Sequence, residues 1–187
     1  MRVDRKVVGK SVLIRNIEQN DCNLRYLSWL EDPKVNQYLE TRWQKQSLSK
    51  IKSFVKVASK SRDSILFAIV ELSSNKHIGN IKIGPINYNH MHANISYFIG
   101  DSSAWGKGYA SEAVSLVTGY AVKVLKLETV IACVYEGNLG SQKVLEKTGY
   151  KLSGIFKEQF LNVKNEREDA LYFYYKKYNI LSLEFAH

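Results

Sequence analysis

Cysteine and proline are nearly absent from this chain of 187 residues, which contains two of each. Cys22 and Cys133 lie far apart in the sequence, so they form neither a disulfide framework nor the closely spaced ligand set that a metal requires. We interpret both as small buried side chains, as unpaired cysteines commonly are. This usage of cysteine predicts a cytosolic protein.

Linkers, repeats and long apolar runs are also missing. Pro33 and Pro85 are isolated, and no stretch rich in glycine, serine and proline interrupts the chain, so we predict a single domain over residues 1–187. No apolar run approaches the roughly 20 residues that cross a bilayer. The first residues, MRVDRKVVGKSVLIRN, lack the apolar segment of a signal peptide, and we expect no membrane partner.

Acidic residues are too few to balance the basic ones, because 27 lysines and arginines face 18 aspartates and glutamates, a formal charge of +9. Such a charge attracts polyanions, which include nucleic acids and phosphorylated small molecules. The basic residues are scattered, with no run longer than two, which disfavours a dedicated nucleic-acid surface. A nucleic-acid-binding domain stays open as an alternative because the tyrosines of LYFYYKKY are able to stack on bases, although a terminal strand explains them more simply.

The hydrophobic pattern predicts an α/β protein with a mixed sheet. Apolar residues at helical spacing predict helices within residues 21–33, 34–41, 47–61, 109–124 and 138–149. Strands are predicted at 11–17, 64–72, 77–86, 92–100 and 129–135, and a final hairpin at 150–161 and 168–178. The helix between the fourth and fifth strands demands a right-handed crossover and parallel strands, whereas hairpins make the rest of the sheet antiparallel. Helices should cover both faces.

The stretch WGKGYASEA, residues 105–113, places Gly106 and Gly108 between the end of a strand and the start of a helix. Backbone N–H groups without helical partners point outward from such a loop, and the helix dipole adds positive potential there. Two residues without a Cβ let a phosphate approach the backbone, and Lys107 adds charge. Because GKGYAS matches neither a P-loop nor a dinucleotide fingerprint, the loop predicts an anion site of another kind.

Two motifs in the right order resemble the GNAT superfamily of acetyl-CoA-dependent N-acetyltransferases. They are YFIGDSSAWGKGYASEAV and, after the next helix and strand, VYEGNLGSQKVLEKTGY. The order of elements agrees from about residue 11 to residue 176, and the motifs look more narrowly like the branch containing the ribosomal-protein N-terminal acetyltransferases. The resemblance implies a single GNAT domain whose parallel β-α-β core splays to bind acetyl-CoA, the cosubstrate, and it implies no metal.

The resemblance assigns several residues to coenzyme A. The pyrophosphate loop of the family corresponds here to Trp105, Gly106, Lys107, Gly108, Tyr109 and Ala110. Its first position is usually glutamine or arginine, and tryptophan is usual in this branch. The residues expected to bind the pantetheine arm, through the backbone of a splayed strand or through a side chain, are Phe98, Ile99, Gly100 and Asn138. Lys143 is expected to approach the CoA phosphates.

The resemblance also implies direct attack of an amine on the thioester. This chemistry needs a base, a donor to the thioester oxygen and a donor to the leaving thiolate. A backbone N–H near Phe98 or Ile99 is expected to serve the oxygen. Many members protonate the thiolate with a tyrosine, but this chain has Leu145 at that position. The branch uses a serine one helical turn after the motif asparagine, so Ser141 is the predicted general acid.

The base is defined less well by the sequence. Asn94 stands where the branch often has a carboxylate, and asparagine cannot take a proton at neutral pH. Further candidates are His92, His90, Asp101, Glu40 and Tyr97, and a relay through water is the remaining alternative. Glu112 lies in the first turn of the helix after the loop, where a carboxylate is favourable for structural reasons alone.

The acceptor is predicted from charge and from the early segment WLEDPKVNQYLETRW. A basic enzyme repels a polyamine or a ribosomal-protein N-terminus unless local acids compensate, and it attracts an anionic amine. The segment resembles that of GNAT enzymes attached to surface-sugar biosynthesis, which favours a nucleotide-linked amino sugar. The alternatives are a protein N-terminal acetyltransferase of the ribosomal type and a domain that binds CoA without catalysing transfer. The sequence does not determine the oligomeric state.

Overall fold

The computed structural model describes residues 6–177. Its strands are β1 (Val7–Val8), β2 (Val12–Asn16), β3 (Ile65–Glu71), β4 (Lys76–Asn87), β5 (His92–Ile99), β6 (Thr129–Tyr135), β7 (Lys151–Leu161) and β8 (Arg167–Lys176). Its α-helices are α1 (Leu24–Glu31), α2 (Pro33–Asn36), α3 (Leu48–Lys60), α4 (Tyr109–Lys123) and α5 (Leu139–Lys147). Within residues 6–177, no helix has the length and apolarity to cross a bilayer.

The strands form one mixed sheet in the order β1-β2-β3-β4-β5-β6-β8-β7. Strands β5 and β6 are parallel and are joined by α4, as the sequence predicted. The other neighbouring pairs are antiparallel. The predicted mixed α/β fold is therefore confirmed.

Both faces of strand β3 are buried, because helices pack on each side of it. Phe67 and Ile69 pack in a core with α4, whereas Ala68 and Val70 pack in a second core with α1 and α3. Successive side chains of a strand point to opposite faces, so a strand covered on both sides must be apolar throughout. Helices thus cover both faces of the sheet, as predicted.

The segment after α1 differs from the single helix predicted over residues 34–41. Asp32 caps the short helix α2 and Pro33 occupies its first turn, where the missing N–H is not needed. The chain is extended at Leu39 and forms a separate 3₁₀ turn over Glu40–Trp43. The break leaves Tyr38 and Glu40 beside the central part of the sheet rather than on a continuous helix.

Candidate active site

Strands β5 and β6 separate in the middle of the sheet. They pair only over residues 92–94 and 129–131, although β5 continues to Ile99 and β6 to Tyr135. Beyond these pairs a gap opens between the two strands, and a cavity of about 450 Å³ lies there. Its walls come from both strands, from the start of α5, and from the segment between α2 and α3.

The backbone of β5 turns toward the gap at alternate residues. The Gly100 N–H donates to a carbonyl of β4 at 2.8 Å. Because backbone groups alternate along a strand, those of Phe98 also turn toward β4, and those of Tyr97 and Ile99 turn toward the gap. Of the three predicted backbone partners of pantetheine, only Ile99 directs its N–H there. Gly100 has a different role, since a Cβ at this position would collide with the ring of Trp29.

The loop between β5 and α4 is open to an incoming anion. Gly106 and Gly108 have φ angles of 74° and 83°, a left-handed conformation that costs other residues about 1–2 kcal/mol. A Cβ at either position meets no protein atom within 4 Å. Gly108 caps α4 without a side-chain hydrogen bond, whereas a side chain caps each of the other four α-helices in the described residues. The N–H groups of the first turn of α4 are therefore left for a ligand.

Side chains of the loop brace it against two strands. The Trp105 indole N–H donates to the Ile99 carbonyl at 2.8 Å. The Tyr109 hydroxyl donates to Glu71 at the end of β3 at 2.6 Å, and hydrogen bonds from Ser74 and Tyr109 lower the pKa of Glu71. Trp105 and Tyr109 therefore hold the shape of the loop with their side chains.

The start of α5 brings Asn138 and Ser141 to the cavity. Asn138 Oδ1 caps α5 by accepting the Ser141 N–H at 3.1 Å. The Ser141 hydroxyl lies 2.8 Å from the Tyr97 hydroxyl, which comes from β5 across the gap. Leu145 is fully buried on the same helix. The predicted acid Ser141 thus lies at the cavity. Its hydroxyl partner is Tyr97, which the sequence offered as a candidate for the base.

The turn that precedes α5 is held from two sides. The Gly137 N–H donates to a carboxylate oxygen of Glu168 in β8, and the Tyr38 hydroxyl donates to the Gly137 carbonyl at 2.9 Å. A Cβ on Gly137 would stand 2.6 Å from Glu168 Oε1 and 3.2 Å from the Tyr38 hydroxyl. Both groups are ends of flexible side chains, so a Cβ here would displace them and loosen the turn that carries Asn138.

Glu40 lies on the cavity wall in the 3₁₀ turn, beside Tyr135 at the end of β6. Its Oε1 accepts from the Tyr135 hydroxyl at 2.6 Å and its Oε2 from the Trp43 indole N–H at 3.1 Å. Arg42 also donates to the Tyr135 hydroxyl, at 2.9 Å. Burial, together with the bond to Glu40, raises the pKa of Tyr135 to about 12. The Glu40 carboxylate is therefore held in place by neutral donors.

The charge of the cavity wall is weakly positive. Among the residues that line the cavity, the charged ones are Glu40, Lys50 and Lys82. Lys50 Nζ donates to the Lys45 carbonyl at 2.7 Å. Aromatic rings make up much of the rest, at Tyr26, Tyr38, Phe54, Tyr97, Phe98, Tyr135 and Phe160. Such a wall can take an apolar or aromatic surface together with a negative group.

A network of buried polar side chains lies beneath the cavity. Arg15 forms a bidentate pair with Asp21 at 2.7 and 2.8 Å, and His77 Nδ1 lies 3.8 Å from Asp21. His77 Nε2 contacts Asn80 Oδ1 at 2.9 Å, while Asn80 Nδ2 has no partner. A bulge at Ile78 puts residues 77 and 80 on one face, although regular alternation would separate them. Sequence reasoning missed this polar network because nothing in the local pattern marks the bulge.

Burial and hydrogen bonds together explain the pKa shifts of His77 and Asp21 in this polar network. Burial lowers the pKa of His77, and the contacts with Asn80 and Asp21 offset this only in part. Burial also acts to raise the pKa of Asp21, but hydrogen bonds from Arg15 and from the Glu18 backbone outweigh it and leave that pKa below its usual value. This polar network therefore contains a carboxylate, that of Asp21, and a neutral imidazole, that of His77, near neutral pH.

The candidates for the base are not all brought to the cavity. Glu40 and Tyr97 line it, whereas Asn94 and His92 do not. The latter two lie where β5 is still paired with β6, short of the gap. Asp101 caps the turn before the loop by accepting the Ser103 N–H at 3.0 Å, and it does not line the cavity either. His90 is exposed and its ring stacks on that of His92.

Four other residues singled out in the sequence either do not line the cavity or do so unexpectedly. Glu112 accepts the backbone N–H groups of Lys10 and Ser11, a structural contact that ties α4 to the turn before β2. Lys107 and Lys143 are exposed. The prediction that both cysteines are buried was wrong for Cys133, which is exposed and lines the cavity where β5 no longer pairs with β6.

The groups that sequence reasoning missed come from distant segments. Tyr38, Lys50, Lys82, Tyr135 and Phe160 meet only in the folded cavity. Gly137 is the one position with a local signal, since a glycine beside the motif asparagine invites the question of what approaches it. Among residues 6–177, no group of three or more His, Cys, Asp or Glu side chains is arranged to hold a metal ion.

A parallel strand pair that splays before an uncapped, glycine-rich helix start defines a class of acyl-CoA-binding transferases. The family model described as an acetyltransferase (GNAT) domain matches residues 11–151. The chain therefore belongs to the GNAT acetyltransferase family, and it is an acetyl-CoA-dependent N-acetyltransferase.

Known relatives agree with this assignment. The probable N-acetyltransferase YjcK of Bacillus subtilis (strain 168) is 29% identical over 166 residues, which cover 83% of this chain and 87% of YjcK. A GNAT-family acetyltransferase from Bacillus anthracis has a similar structure, with a TM-score of 0.79 and 24% identity over 92% of this chain and 98% of the other. The spermidine N-acetyltransferase of Vibrio cholerae, in complex with CoA and spermine, has a TM-score of 0.81 and 18% identity over 92% and 99%. At these identities the two structures establish the fold alone.

Proposed function

We propose that the protein transfers the acetyl group of acetyl-CoA to the primary amine of a small anionic acceptor, of the class of nucleotide-linked amino sugars. The observation that supports this acceptor most directly is the charge of the cavity wall, where Lys50 and Lys82 outnumber the one carboxylate, Glu40. Phosphate groups are attracted to such a wall, and a polycation is repelled. The formal charge of +9 over the whole chain acts in the same direction.

Coenzyme A is bound in this proposal by backbone groups. The N–H groups of residues 106–110 hold the pyrophosphate at the start of α4. The Ile99 N–H pairs with the pantetheine arm, which takes the place of the missing neighbour of β5. Asn138 contacts the same arm through Nδ2, because its Oδ1 already caps α5. Lys107 and Lys143 add positive charge near the phosphates.

Glu40 accepts the proton of the acceptor ammonium, directly or through water, and leaves a neutral amine. The amine attacks the thioester carbonyl carbon, and the Tyr97 N–H, which β5 also turns toward the gap, donates to the carbonyl oxygen as its charge grows. The C–N bond forms and the C–S bond breaks. Ser141 gives its proton to the sulfur and receives the proton that the attacking nitrogen loses, so the protons balance.

Other acceptors have weaker support. The two motifs resemble those of the ribosomal-protein branch, and this resemblance favours a protein N-terminus. The similar fold of a spermidine N-acetyltransferase makes polyamines a further candidate for the acceptor. A cavity with one carboxylate, however, offers few partners for several ammonium groups. A single domain over residues 1–187 and a cytosolic location are retained here as predictions.

The test is release of free thiol from acetyl-CoA with a panel of amines. The panel contains nucleotide-linked amino sugars, spermidine and short peptides with free N-termini, with N-blocked forms as controls. We expect kcat/KM to be highest for the nucleotide-linked amino sugars and to fall as salt is added. Lys82→Met should raise the KM of the anionic acceptor about tenfold, equivalent to about 1.4 kcal/mol, and leave the KM of acetyl-CoA unchanged.

Two results would contradict the proposal in different ways. Equal or better turnover of spermidine or a peptide would refute the acceptor class and leave the acetyltransferase activity intact. Binding of acetyl-CoA, seen as a rise in Tm, without thiol release from any amine would favour a domain that binds CoA and does not catalyse transfer.

A further inference from the structure

We propose that Tyr97 is a positioning residue for protonation of the thiolate, and that its hydroxyl on β5 supports Ser141 from the wall opposite α5. This inference depends on the proposed role of Ser141 in acetyl transfer. Tyr97 and Ser141 both line the cavity, and their hydroxyl oxygens are 2.8 Å apart. Leu145, four residues after Ser141 on the same helix, is fully buried and provides no hydroxyl.

The Tyr97 proton has two acceptors, and the choice between them decides what Ser141 can do. The Tyr97 hydroxyl oxygen lies 2.8 Å from Ser141 Oγ and 3.2 Å from the Ser141 carbonyl oxygen. If Tyr97 donates to the carbonyl, Ser141 donates its own proton to Tyr97 and has none for the sulfur. If Tyr97 donates to Ser141 Oγ, the serine proton is free to point into the gap.

Charge on the leaving sulfur selects the second arrangement. A developing thiolate attracts the serine proton, and Ser141 Oγ then takes the Tyr97 proton as a hydrogen bond in its place. Tyr97 does not give up that proton, because burial raises its pKa far above the usual value for tyrosine. Tyr97 therefore acts by polarising Ser141, and the proton that reaches the sulfur is that of Ser141.

A second tyrosine offers a matched control. The Tyr150 hydroxyl lies 2.7 Å from Thr118 Oγ1, and both side chains are buried away from the cavity. Tyr150→Phe and Tyr97→Phe each remove one hydroxyl from a hydroxyl pair, which is buried for Tyr150 and part-buried for Tyr97. Comparable losses of Tm are expected for the two variants, so stability alone cannot separate them.

The experiment is a double-mutant cycle on kcat with acetyl-CoA and the best acceptor from the panel. We expect Tyr97→Phe to lower kcat about tenfold and to leave the KM of acetyl-CoA within about twofold, since the hydroxyl acts mainly in the transition state. Tyr150→Phe should leave kcat unchanged. Because Tyr97 acts through Ser141, adding Tyr97→Phe to Ser141→Ala should cause no further loss.

Each other outcome overturns a specific part. An unchanged kcat in Tyr97→Phe, or an equal loss in Tyr150→Phe, would refute the role of Tyr97. A loss in Tyr97→Phe that persists in full beside Ser141→Ala would make Tyr97 an independent group. A normal kcat in Ser141→Ala would refute Ser141 as the thiolate donor and Tyr97 as its positioning residue, while the acetyl transfer itself would stand. Absence of turnover in the unmodified protein would refute the proposed activity and this inference together.

Discussion

The coenzyme half and the acceptor half of the proposed active site are built from different parts of the chain. Backbone groups within one stretch, residues 99–110, make up most of the proposed coenzyme half. The acceptor half consists of side chains that are far apart in the sequence, such as Glu40, Lys82 and Tyr135. A site made of backbone groups needs residues that leave the backbone accessible, and glycines at a fixed spacing record that need. A site made of side chains depends on which segments fold against one another.

The glycine loop allows the largest expected effect and the most direct separation of the two halves. Gly108→Ala should weaken acetyl-CoA binding by about 100-fold or more, because its Cβ occupies the open space beside the loop and displaces charge-assisted hydrogen bonds. Gly149→Ala is the control, since Gly149 follows α5 with a φ of 86°, close to the 83° of Gly108. Both variants have the same backbone strain, about 1 kcal/mol or more.

The readout is the rise in Tm caused by acetyl-CoA, together with calorimetric titration. The rise should vanish in Gly108→Ala and persist in Gly149→Ala. An equal loss of binding in the two variants would mean that strain, and not the loop surface, is responsible.

Glu40 tests the acceptor half with a smaller expected effect. Glu40→Gln should lower kcat/KM for the amine about 100-fold at neutral pH, the size of a typical general-base contribution. The loss should shrink as the pH approaches the pKa of the acceptor amine, because an amine that is already neutral needs no base. Binding of acetyl-CoA should not change, which separates this half from the loop.

The control for Glu40 is Glu128→Gln, because Glu128 forms a surface ion pair with Lys177 at 3.3 Å and is not at the cavity. Its kcat/KM should match that of the unmodified protein. A loss in Glu40→Gln that is the same at every pH would point to a binding role and contradict the base.

The network of buried polar side chains under the acceptor half predicts the smallest effect, which is on stability. The pKa of His77 is lowered in the folded state from a reference of 6.5. As the pH falls below about 6.5, the unfolded chain therefore binds a proton that the folded protein does not, and stability decreases by at most about 1.4 kcal/mol per pH unit. The lowered pKa of Asp21 acts in a separate window, since its stabilisation is lost only at more acidic pH, below its reference of 3.8.

Denaturant unfolding between pH 7 and pH 5 measures this effect. His77→Gln should flatten the decrease in stability, whereas His90→Gln, at an exposed site, should leave it unchanged. An identical slope in His77→Gln and in the unmodified protein would show that His77 is not the group that titrates.

The accuracy of the sequence reasoning follows the same division. The crossover from β5 through α4 to β6 was predicted because hydrophobic periodicity and the glycine loop are local signals. The burial of Cys133 was predicted wrongly, because an apolar strand normally has neighbours on both edges and the gap removes one of them. The expected place of the base at Asn94 lies short of the gap, and no local pattern indicates where two strands stop pairing.

Local patterns in the sequence were sufficient to predict the mixed sheet, the parallel core and an anion-binding loop at the start of α4. These follow from side-chain periodicity and from the conformations open to glycine, which act over a few residues. The folded structure was needed to show that Tyr97 meets Ser141, that Glu40 lines the cavity, and that the bulge at Ile78 turns His77 toward Asn80. These contacts join residues across different elements or across a shift of register, and their geometry depends on how the whole sheet and its helices pack.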